Sequence, residues 1–308
     1  MSTPSAQATS PVGFPKSVIK LLRVKQWAKN LLVLAAPLFA GPSHHPQYLV
    51  PTLMAFFSMS LLSSSTYVWN DLIDVERDRL HPVKRFRPIA SGSISKALAT
   101  VLGIACFVGG LLLASLLGKA SLAIVLTYLF IQVLYNWRLK RTPVADVFTL
   151  SVGFILRACL GAAAIQVVIS GWLLYCTGAL AMMLGFAKRR NEFILQGEDR
   201  SATRESLAQY SRTALDAMVA MFGAGAAICY AIYTVDSKTA HKYPAIILTS
   251  LFVFYGITRY VFLVFAVDEG GEPADVLFKD PHIIFSVVGF FVSAVIALYG
   301  VRIPILEQ

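Results

Sequence analysis

Long apolar runs separated by short polar segments define the pattern of this chain. Nine runs of roughly 20 mostly apolar residues are each long enough to cross a bilayer as a helix. The first run is the weakest candidate, because Arg23, Lys25 and Lys29 lie in its first turns. The pattern predicts an all-α integral membrane protein with nine transmembrane helices. These cover residues 19–40, 48–70, 97–117, 120–136, 145–167, 171–187, 213–235, 244–266 and 282–303.

Composition excludes a soluble globular domain. Of the 308 residues, 56% are hydrophobic and only 14% are charged. Residues 1–15 are small and polar, contain proline and lack the apolar core of a signal peptide, so we expect a disordered tail. Residues 16–308 are expected to form a single transmembrane domain.

The distribution of lysine and arginine predicts the orientation. Alternate polar segments hold 21 of the 27 basic residues, whereas the opposite set holds four. Because basic loops stay in the cytoplasm, the N-terminus is predicted inside and the C-terminus outside, which requires an odd number of transmembrane helices. We therefore expect a multi-pass protein of the inner (plasma) membrane. The net charge of +10 requires no nucleic acid partner, since topology and an anionic ligand account for it.

Acidic residues gather on the same predicted side, and one group of them is regularly spaced. Fifteen of the 17 acids lie on or near the cytoplasmic face. Asn70, Asp74 and Asp78 recur every four residues, so on a helix they share a face, about 6 Å apart. Oxygen ligands at this spacing suit Mg²⁺, which also binds phosphate oxygens. Asn70, Asp71, Asp74 and Asp78 are therefore candidate metal ligands at a cytoplasmic site.

A basic loop directly follows Asn70, Asp74 and Asp78, which we call the acidic ladder. Residues 79–88 include Arg79, Lys84, Arg85 and Arg87, four cations suited to hold the rest of an anionic ligand. The alternative is an ordinary polar helix end, which the acid spacing and the basic loop together disfavour. The chain has no Walker A, GxGxxG or HExxH motif, so the sequence does not indicate P-loop, dinucleotide-binding or zinc-protease chemistry.

Further charged residues lie at the ends of other apolar runs or within them. Lys188, Arg189 and Glu192 follow the sixth run, where a basic cluster can also serve only as a topology anchor. Arg157 and Arg259 lie inside apolar runs, where a guanidinium is costly unless it faces a polar cavity or an acidic partner. Two such arginines directed at one cavity would suit phosphate groups.

Two more segments are open to two interpretations. Tyr135 and Lys140 close the fourth run, where Tyr135 also fits an interfacial aromatic belt. The short Gly-rich loop that contains Glu272 and Asp275 either contributes to a metal or sugar-hydroxyl site or is a solvated turn.

Taken together, these motifs resemble the UbiA superfamily of intramembrane transferases. The resemblance extends from about residue 18 to residue 303. It rests on the ladder, on the loop with Pro82, Lys84, Arg87 and Pro88, and on the first helix with its Lys25-Gln26-Trp27 segment, together with Tyr135-x-x-x-Leu139-Lys140. It implies nine helices around a central cavity that faces the cytoplasm, acids that bind Mg²⁺ and a diphosphate, and a lipid chain that exits sideways into the bilayer.

One difference from the family pattern indicates which branch of the family this chain resembles. Aromatic prenyltransferases of this family carry a second acid-rich motif after the sixth helix, where this chain has Lys188-Arg189-Arg190-Asn191-Glu192. The chain is more similar to the branch that transfers phosphoribose from phosphoribosyl diphosphate to a polyprenyl phosphate, with release of pyrophosphate, for cell-envelope precursors. An aromatic prenyltransferase and a transporter remain as alternatives.

The resemblance also implies roles for individual residues. Asp74, Asp78, Lys84 and Arg85 are the predicted catalytic residues, and Lys188 and Arg189 are expected to bind the C5 phosphate of the donor. Membrane lipid is a further expected partner, and self-association into a homo-oligomer stays open. The remaining predicted substrate-binding residues are Lys29, Asn70, Arg87, Tyr135, Lys140, Arg157, Glu192, Arg259, Glu272 and Asp275.

Overall fold

The computed structural model describes residues 13–39, 45–195, 206–266 and 279–299. Within these ranges the chain forms helices and no β-strand, which confirms the predicted all-α class. The α-helices are α1 (Phe14–Leu21), α2 (Ala35–Phe39), α3 (His45–Ile73), α4 (Val75–Leu80), α5 (Lys96–Leu116), α6 (Lys119–Trp137), α7 (Ala145–Ala164), α8 (Gly171–Leu195), α9 (Arg212–Asp236), α10 (Lys238–Lys242), α11 (Thr249–Ala266) and α12 (Pro281–Tyr299). Short 3₁₀ helices cover Val24–Leu34, Lys84–Phe86, Leu139–Arg141, Leu207–Gln209 and Pro244–Leu248.

Eight helices among the described residues are long and apolar enough to cross a membrane. They coincide with the second to ninth predicted apolar runs. Their bounds are Pro46–Ile73, Lys96–Leu116, Lys119–Trp137, Ala145–Ala164, Gly171–Leu195, Arg212–Asp236, Pro244–Ala266 and Pro281–Tyr299.

The first predicted run, residues 19–40, is not one continuous helix. The helix α1 ends at Leu21, and Arg23 adopts a left-handed backbone with φ of 50°. A 3₁₀ helix then leads into α2. The left-handed residue interrupts the α-helical hydrogen bonds, and its side chain is bound by an acid 48 positions later in the sequence, Asp71. This first run is therefore not among the eight candidate spans.

The chain divides into two compact units, which are residues 1–31 with 54–122 (unit 1) and residues 32–53 with 123–308 (unit 2). In unit 1, α3 packs closely on α5. Hydroxyl groups of Ser58 and Ser65 donate hydrogen bonds to the carbonyl oxygens of Gly110 and Gly103, at 2.8 and 2.9 Å. A Cβ at Gly110 would lie 2.6 Å from Cγ of Leu62, so only glycine permits this approach.

A small apolar core in unit 1 fixes the end of α3 and the loop that follows α4. Val68 of α3 and Val75 of α4 pack with Ile89 and Ile94 of the loop, and Leu21 of α1 belongs to the same core. All five side chains are at most 4% exposed. The basic loop is thus anchored by its apolar residues, and its cations Lys84 and Arg85 remain exposed.

Unit 2 is built around α8, which packs against α7 and α9, while α11 packs against α9 and α12. The largest core cluster joins these helices at the C-terminal end of α8. Phe186 of α8, Leu215 and Val219 of α9, and Leu263 of α11 are its central members. This core holds the charged residues at the end of α8 in place.

Candidate functional site

The acidic ladder of unit 1 keeps its four-residue register although the helix is interrupted within it. Asp74 is a turn residue between α3 and α4. Its backbone N–H donates to the carbonyl oxygen of Asn70 at 3.0 Å, and the N–H of Asp78 donates to the carbonyl of Asp74 at 2.8 Å. The helical hydrogen bonds therefore continue through the junction.

Two acids of this segment are buried in a chain of alternating charges. Asp71 accepts hydrogen bonds from Arg23 at 2.6 Å and from Arg87 at 3.0 Å. The same Nη1 atom of Arg87 donates to Asp78 at 2.7 Å. The Asp71 and Asp78 side chains are each 3% exposed. A buried carboxylate is costly unless a positive charge pairs with it, and the two guanidinium groups provide that pairing. The guanidinium of Arg23 also lies 4.5 Å from the ring centroid of Tyr67.

Asn70 and Asp74 differ from these two acids. Both side chains are half-buried, and within the described part of the chain neither forms a hydrogen bond or an ion pair. Their oxygens are therefore available to a ligand. No three His, Cys, Asp or Glu side chains in the described ranges converge into a ready metal-binding set. An oxygen-only set with few protein ligands fits Mg²⁺, which usually keeps waters and substrate phosphate oxygens in its coordination sphere.

The basic loop presents its cations to solvent. Lys84 and Arg85 lie on the 3₁₀ turn Lys84–Phe86 and are both exposed. The guanidinium of Arg85 lies over the Phe86 ring at 4.8 Å, and the ammonium of Lys20 donates to the Phe86 carbonyl at 2.8 Å. Lys29, on the first 3₁₀ helix, is also exposed. In contrast to Arg87, the two turn cations carry no acid partner among the described residues.

A second charged cluster lies in unit 2, at the start of α7 and the C-terminal end of α8. Asp146 is fully buried and accepts a hydrogen bond from Nε of Arg189 at 2.9 Å. Arg189 is 3% exposed and also donates to Glu192 at 2.5 Å. The predicted phosphate-binding residue Arg189 is thus held between two carboxylates. The phenol of Tyr135, which is half-buried, lies within electrostatic range of this guanidinium.

Tyr210 completes this cluster from the segment that precedes α9. Its hydroxyl donates to Asp146 at 3.0 Å and accepts the backbone N–H of Val144 at 2.5 Å. Burial raises the pKa of Tyr210, and the neighbouring Asp146 carboxylate acts in the same direction. Val144 has a left-handed backbone with φ of 65°, an uncommon conformation for a β-branched residue. Tyr210 therefore fixes the turn that leads into α7.

The next residue on α8, Arg190, is also paired with an acid. It is 2% exposed, and its Nε lies 2.5 Å from a carboxylate oxygen of Asp216 on α9. Its Nη1 donates to the carbonyl of Val264 on α11 at 2.7 Å. The neighbouring Lys188 is half-buried. Two of the three cations in the predicted basic cluster therefore join helices of unit 2.

The two intramembrane arginines have separate partners. Arg157 is 7% exposed, donates to the carbonyl of Gly153 at 2.7 Å, and lies over the ring of Tyr128 at 5.2 Å. Arg259 forms an ion pair of 2.8 Å with Asp280, the acidic partner expected for an arginine in an apolar helix. This hydrogen bond lowers the pKa of Asp280.

Three predicted site residues remain to be located, and two residues of the second cluster were not predicted. Lys140 is half-buried near the end of α6. Glu272 and Asp275 lie outside the described residues. Among the site's neighbours, Asp146 and Tyr210 were not identified from the sequence as members of one cluster, since their contact joins residues 64 positions apart.

Comparison with known proteins agrees with this geometry. The profile of the UbiA prenyltransferase family matches residues 31–269. Decaprenyl-phosphate phosphoribosyltransferase from Mycobacterium tuberculosis is 33% identical over 278 residues, which cover 88% of this chain and 90% of that protein. The protein of the same name from Mycolicibacterium smegmatis is 33% identical over 293 residues, with coverage of 90% and 92%.

Solved structures match in fold. A UbiA homologue from Archaeoglobus fulgidus bound to DMAPP and Mg²⁺ superposes with a TM-score of 0.70 at 19% sequence identity. The match covers 92% of this chain and all of that one. At this identity the likeness establishes a UbiA-like fold. The family match and the eight apolar helices of the described residues identify a multi-pass membrane protein.

Proposed function

The chain belongs to the UbiA prenyltransferase family and is a transferase, and we propose that it moves 5-phosphoribose from phosphoribosyl diphosphate to a polyprenyl phosphate. Pyrophosphate leaves in this reaction. The relatives that match over about nine tenths of their length carry a name of this kind, which supports the proposal. Synthesis of a cell-envelope precursor is the role we assign to it.

The observation that carries the proposal is a difference in ion pairing. The acids near Arg189 and Arg190 in unit 2 are paired with arginine, whereas Asp74 in unit 1 is not, among the residues that the structure describes. At the C-terminal end of α8, Arg189 pairs with Glu192 and with Asp146 of α7, and Arg190 pairs with Asp216 of α9. Among the described residues of this region, the acids therefore lie in ion pairs with arginines and do not form an open acid-rich motif. Asp74 in unit 1, in contrast, has no partner within the described residues. A single open acidic site within the described ranges suits a donor that carries one diphosphate.

The acidic ladder of unit 1 is suited to a divalent cation. Asn70 and Asp74 would hold Mg²⁺, and Asp78 would contribute the carboxylate oxygen that does not accept from Arg87. When bound, the cation neutralises the negative charge of the departing diphosphate. Arg87 and Arg23 position the ladder, because they hold Asp78 and Asp71 in fixed orientations.

The remaining chemistry requires cations and no general base. A phosphate oxygen of the acceptor, already an anion at neutral pH, forms the new bond to C1 of the ribose while the bond from C1 to the diphosphate oxygen breaks. Lys84 and Arg85 reduce the repulsion between the two anionic substrates. Lys29 and Arg87 are proposed to assist in substrate binding, and Lys188 remains our candidate for the C5 phosphate.

The proposed cellular setting follows from the charge distribution. The basic segments support a topology with the ladder and the N-terminus in the cytoplasm and the C-terminus outside the inner (plasma) membrane. The polyprenyl tail would remain among lipid chains. The direct test is whether the purified protein, supplied with labelled phosphoribosyl diphosphate, Mg²⁺ and polyprenyl phosphate, produces labelled lipid.

A further inference from the structure

A small cavity lies at the N-terminal end of α8, within unit 2. Its volume is about 220 Å³, and its walls come from residues 167–170, the end of α2, α9 and α10. Leu173 in its wall is 16 residues from Arg189 on the same helix, a distance of about 24 Å along the axis. The cavity is therefore separate from the charged cluster at the other end of α8.

The cavity lies where candidate membrane helices end. The span Arg212–Asp236 ends here, and the spans Gly171–Leu195 and Pro244–Ala266 begin here. The indole of Trp172 donates to Asp236 at 2.9 Å, an arrangement typical of the membrane–water interface. This hydrogen bond engages the acid that lies closest in sequence to the cavity's lysines.

One wall of the cavity is apolar. Phe39, Val168 and Leu173 line it, and Val168 is 87% exposed. Val168 lies three residues before the start of the candidate span Gly171–Leu195, a position from which an exposed apolar side chain can reach lipid.

The opposite wall is cationic and donates hydrogen bonds. Lys238 and Lys242 are one helical turn apart on α10, both are exposed, and neither pairs with an acid in the described ranges. The ammonium of Lys242 lies 5.2 Å from the ring centroid of Tyr243. Tyr233 is 1% exposed, and its hydroxyl, although the side chains of Ser237 and Thr239 lie nearby, makes no hydrogen bond of good geometry within the described part of the chain. A buried hydroxyl of this kind is costly unless a ligand accepts its proton.

We propose that this cavity binds the phosphate headgroup of an anionic membrane phospholipid. The headgroup phosphate lies between Lys238 and Lys242 and accepts the hydrogen bond of Tyr233. The first carbons of the acyl chains lie against Val168 and Leu173. The bound lipid belongs to the leaflet opposite the Arg189 end of α8, so this site is distinct from the proposed transferase chemistry.

The test is native mass spectrometry of the detergent-purified protein titrated with dioleoyl phosphatidylglycerol or dioleoyl phosphatidylcholine. We expect the wild-type protein to prefer phosphatidylglycerol. Lys242→Ala should weaken that binding about 10-fold, the size expected for one charge-assisted hydrogen bond. Tyr233→Phe should weaken it as well. The matched control Lys119→Ala removes the same charge from an exposed helix start and should bind normally.

Several results would overturn the proposal. Equal binding of the two lipids, or equal binding by Lys242→Ala and Lys119→Ala, would show that these lysines do not form a headgroup site. Displacement of phosphatidylglycerol by millimolar inorganic phosphate would assign the cavity to free phosphate instead. Because Lys242 is exposed, its variant is informative even if Tyr233→Phe is unstable, and melting temperatures establish which variants are folded.

Discussion

Arg87 donates through a single nitrogen to two buried carboxylates, Asp78 at 2.7 Å and Asp71 at 3.0 Å. These acids lie on either side of Asp74, which has no such partner in the described ranges. The protein thus pairs Asp71 and Asp78 with arginine, and it leaves the carboxylate of Asp74 and the second oxygen of Asp78 without such a partner among the described residues. This division explains how four polar residues on adjacent turns can serve both folding and substrate binding.

Replacement of Arg87 should therefore affect stability and activity together. Arg87→Ala leaves Asp71 and Asp78 buried with less compensating charge, and we expect a loss of about 2 kcal/mol or more, with strongly reduced turnover. Arg79→Ala is the matched control, because Arg79 pairs with Glu76 at the surface, where solvent screens the pair and its loss should change stability little. Melting temperature and initial rate measure the two effects. Equal melting temperatures for both variants would contradict this role for Arg87.

Replacement of Asp74 should reduce turnover without reducing stability. Asp74→Asn is expected to fold with the wild-type melting temperature, because its carboxylate has no partner among the described residues. Its turnover should fall roughly 100-fold or more, since metal-assisted charge stabilisation is worth several kcal/mol. Asp71→Asn should lower the melting temperature, because it weakens pairing with Arg23 and Arg87. Near-normal turnover of Asp74→Asn at limiting Mg²⁺ would contradict its assignment as a metal ligand.

Tyr210 should contribute to stability through its hydroxyl. Tyr210→Phe removes the acceptor for the Val144 N–H and a donor to Asp146, so we expect a cost of about 1 to 3 kcal/mol. The control is Tyr175→Phe, since Tyr175 is 68% exposed and its hydroxyl has no partner in the described part of the chain. Thermal unfolding in detergent separates the two variants. A Tyr210→Phe protein as stable as Tyr175→Phe would show that the turn before α7 does not depend on this hydroxyl.

The ion pair of Arg259 and Asp280 predicts a pH-dependent contribution to stability. The hydrogen bond from Arg259 lowers the pKa of Asp280 below that of the unfolded chain. Its stabilisation is therefore fully present above the unfolded carboxyl pKa of about 3.9 and is lost as the pH falls through the folded value. Asp280→Asn should reduce the melting temperature at pH 7, and the difference from wild type should shrink below about pH 4. A difference that is constant with pH would exclude this linkage.

The membrane helices could be predicted because apolar length is a local property of the sequence. Eight predicted runs coincide with eight candidate spans in the described residues. The first run is different because Arg23 is bound by Asp71, and that contact depends on tertiary structure. The interruption before the 3₁₀ helix could not be predicted from hydrophobicity alone.

In the acidic ladder and in the cluster around Arg189, the sequence likewise predicted the local spacing of residues but not their tertiary contacts. The four-residue spacing of Asn70, Asp74 and Asp78 predicted their register, which the backbone hydrogen bonds retain. Which acids are neutralised depends on arginines that are distant in sequence. Likewise, the sequence showed Arg189 as one of several cations, whereas its contact with Asp146, 43 positions earlier, requires the packing of α7 on α8.

The identity of the donor and acceptor is tested most directly by an exchange of substrates with one protein preparation. We expect labelled lipid and released pyrophosphate from phosphoribosyl diphosphate with polyprenyl phosphate, and loss of both products in Asp74→Asn. We expect no product from a polyprenyl diphosphate with 4-hydroxybenzoate. Prenylated 4-hydroxybenzoate, without phosphoribosylated lipid, would contradict the proposed phosphoribosyl transfer and identify an aromatic prenyltransferase.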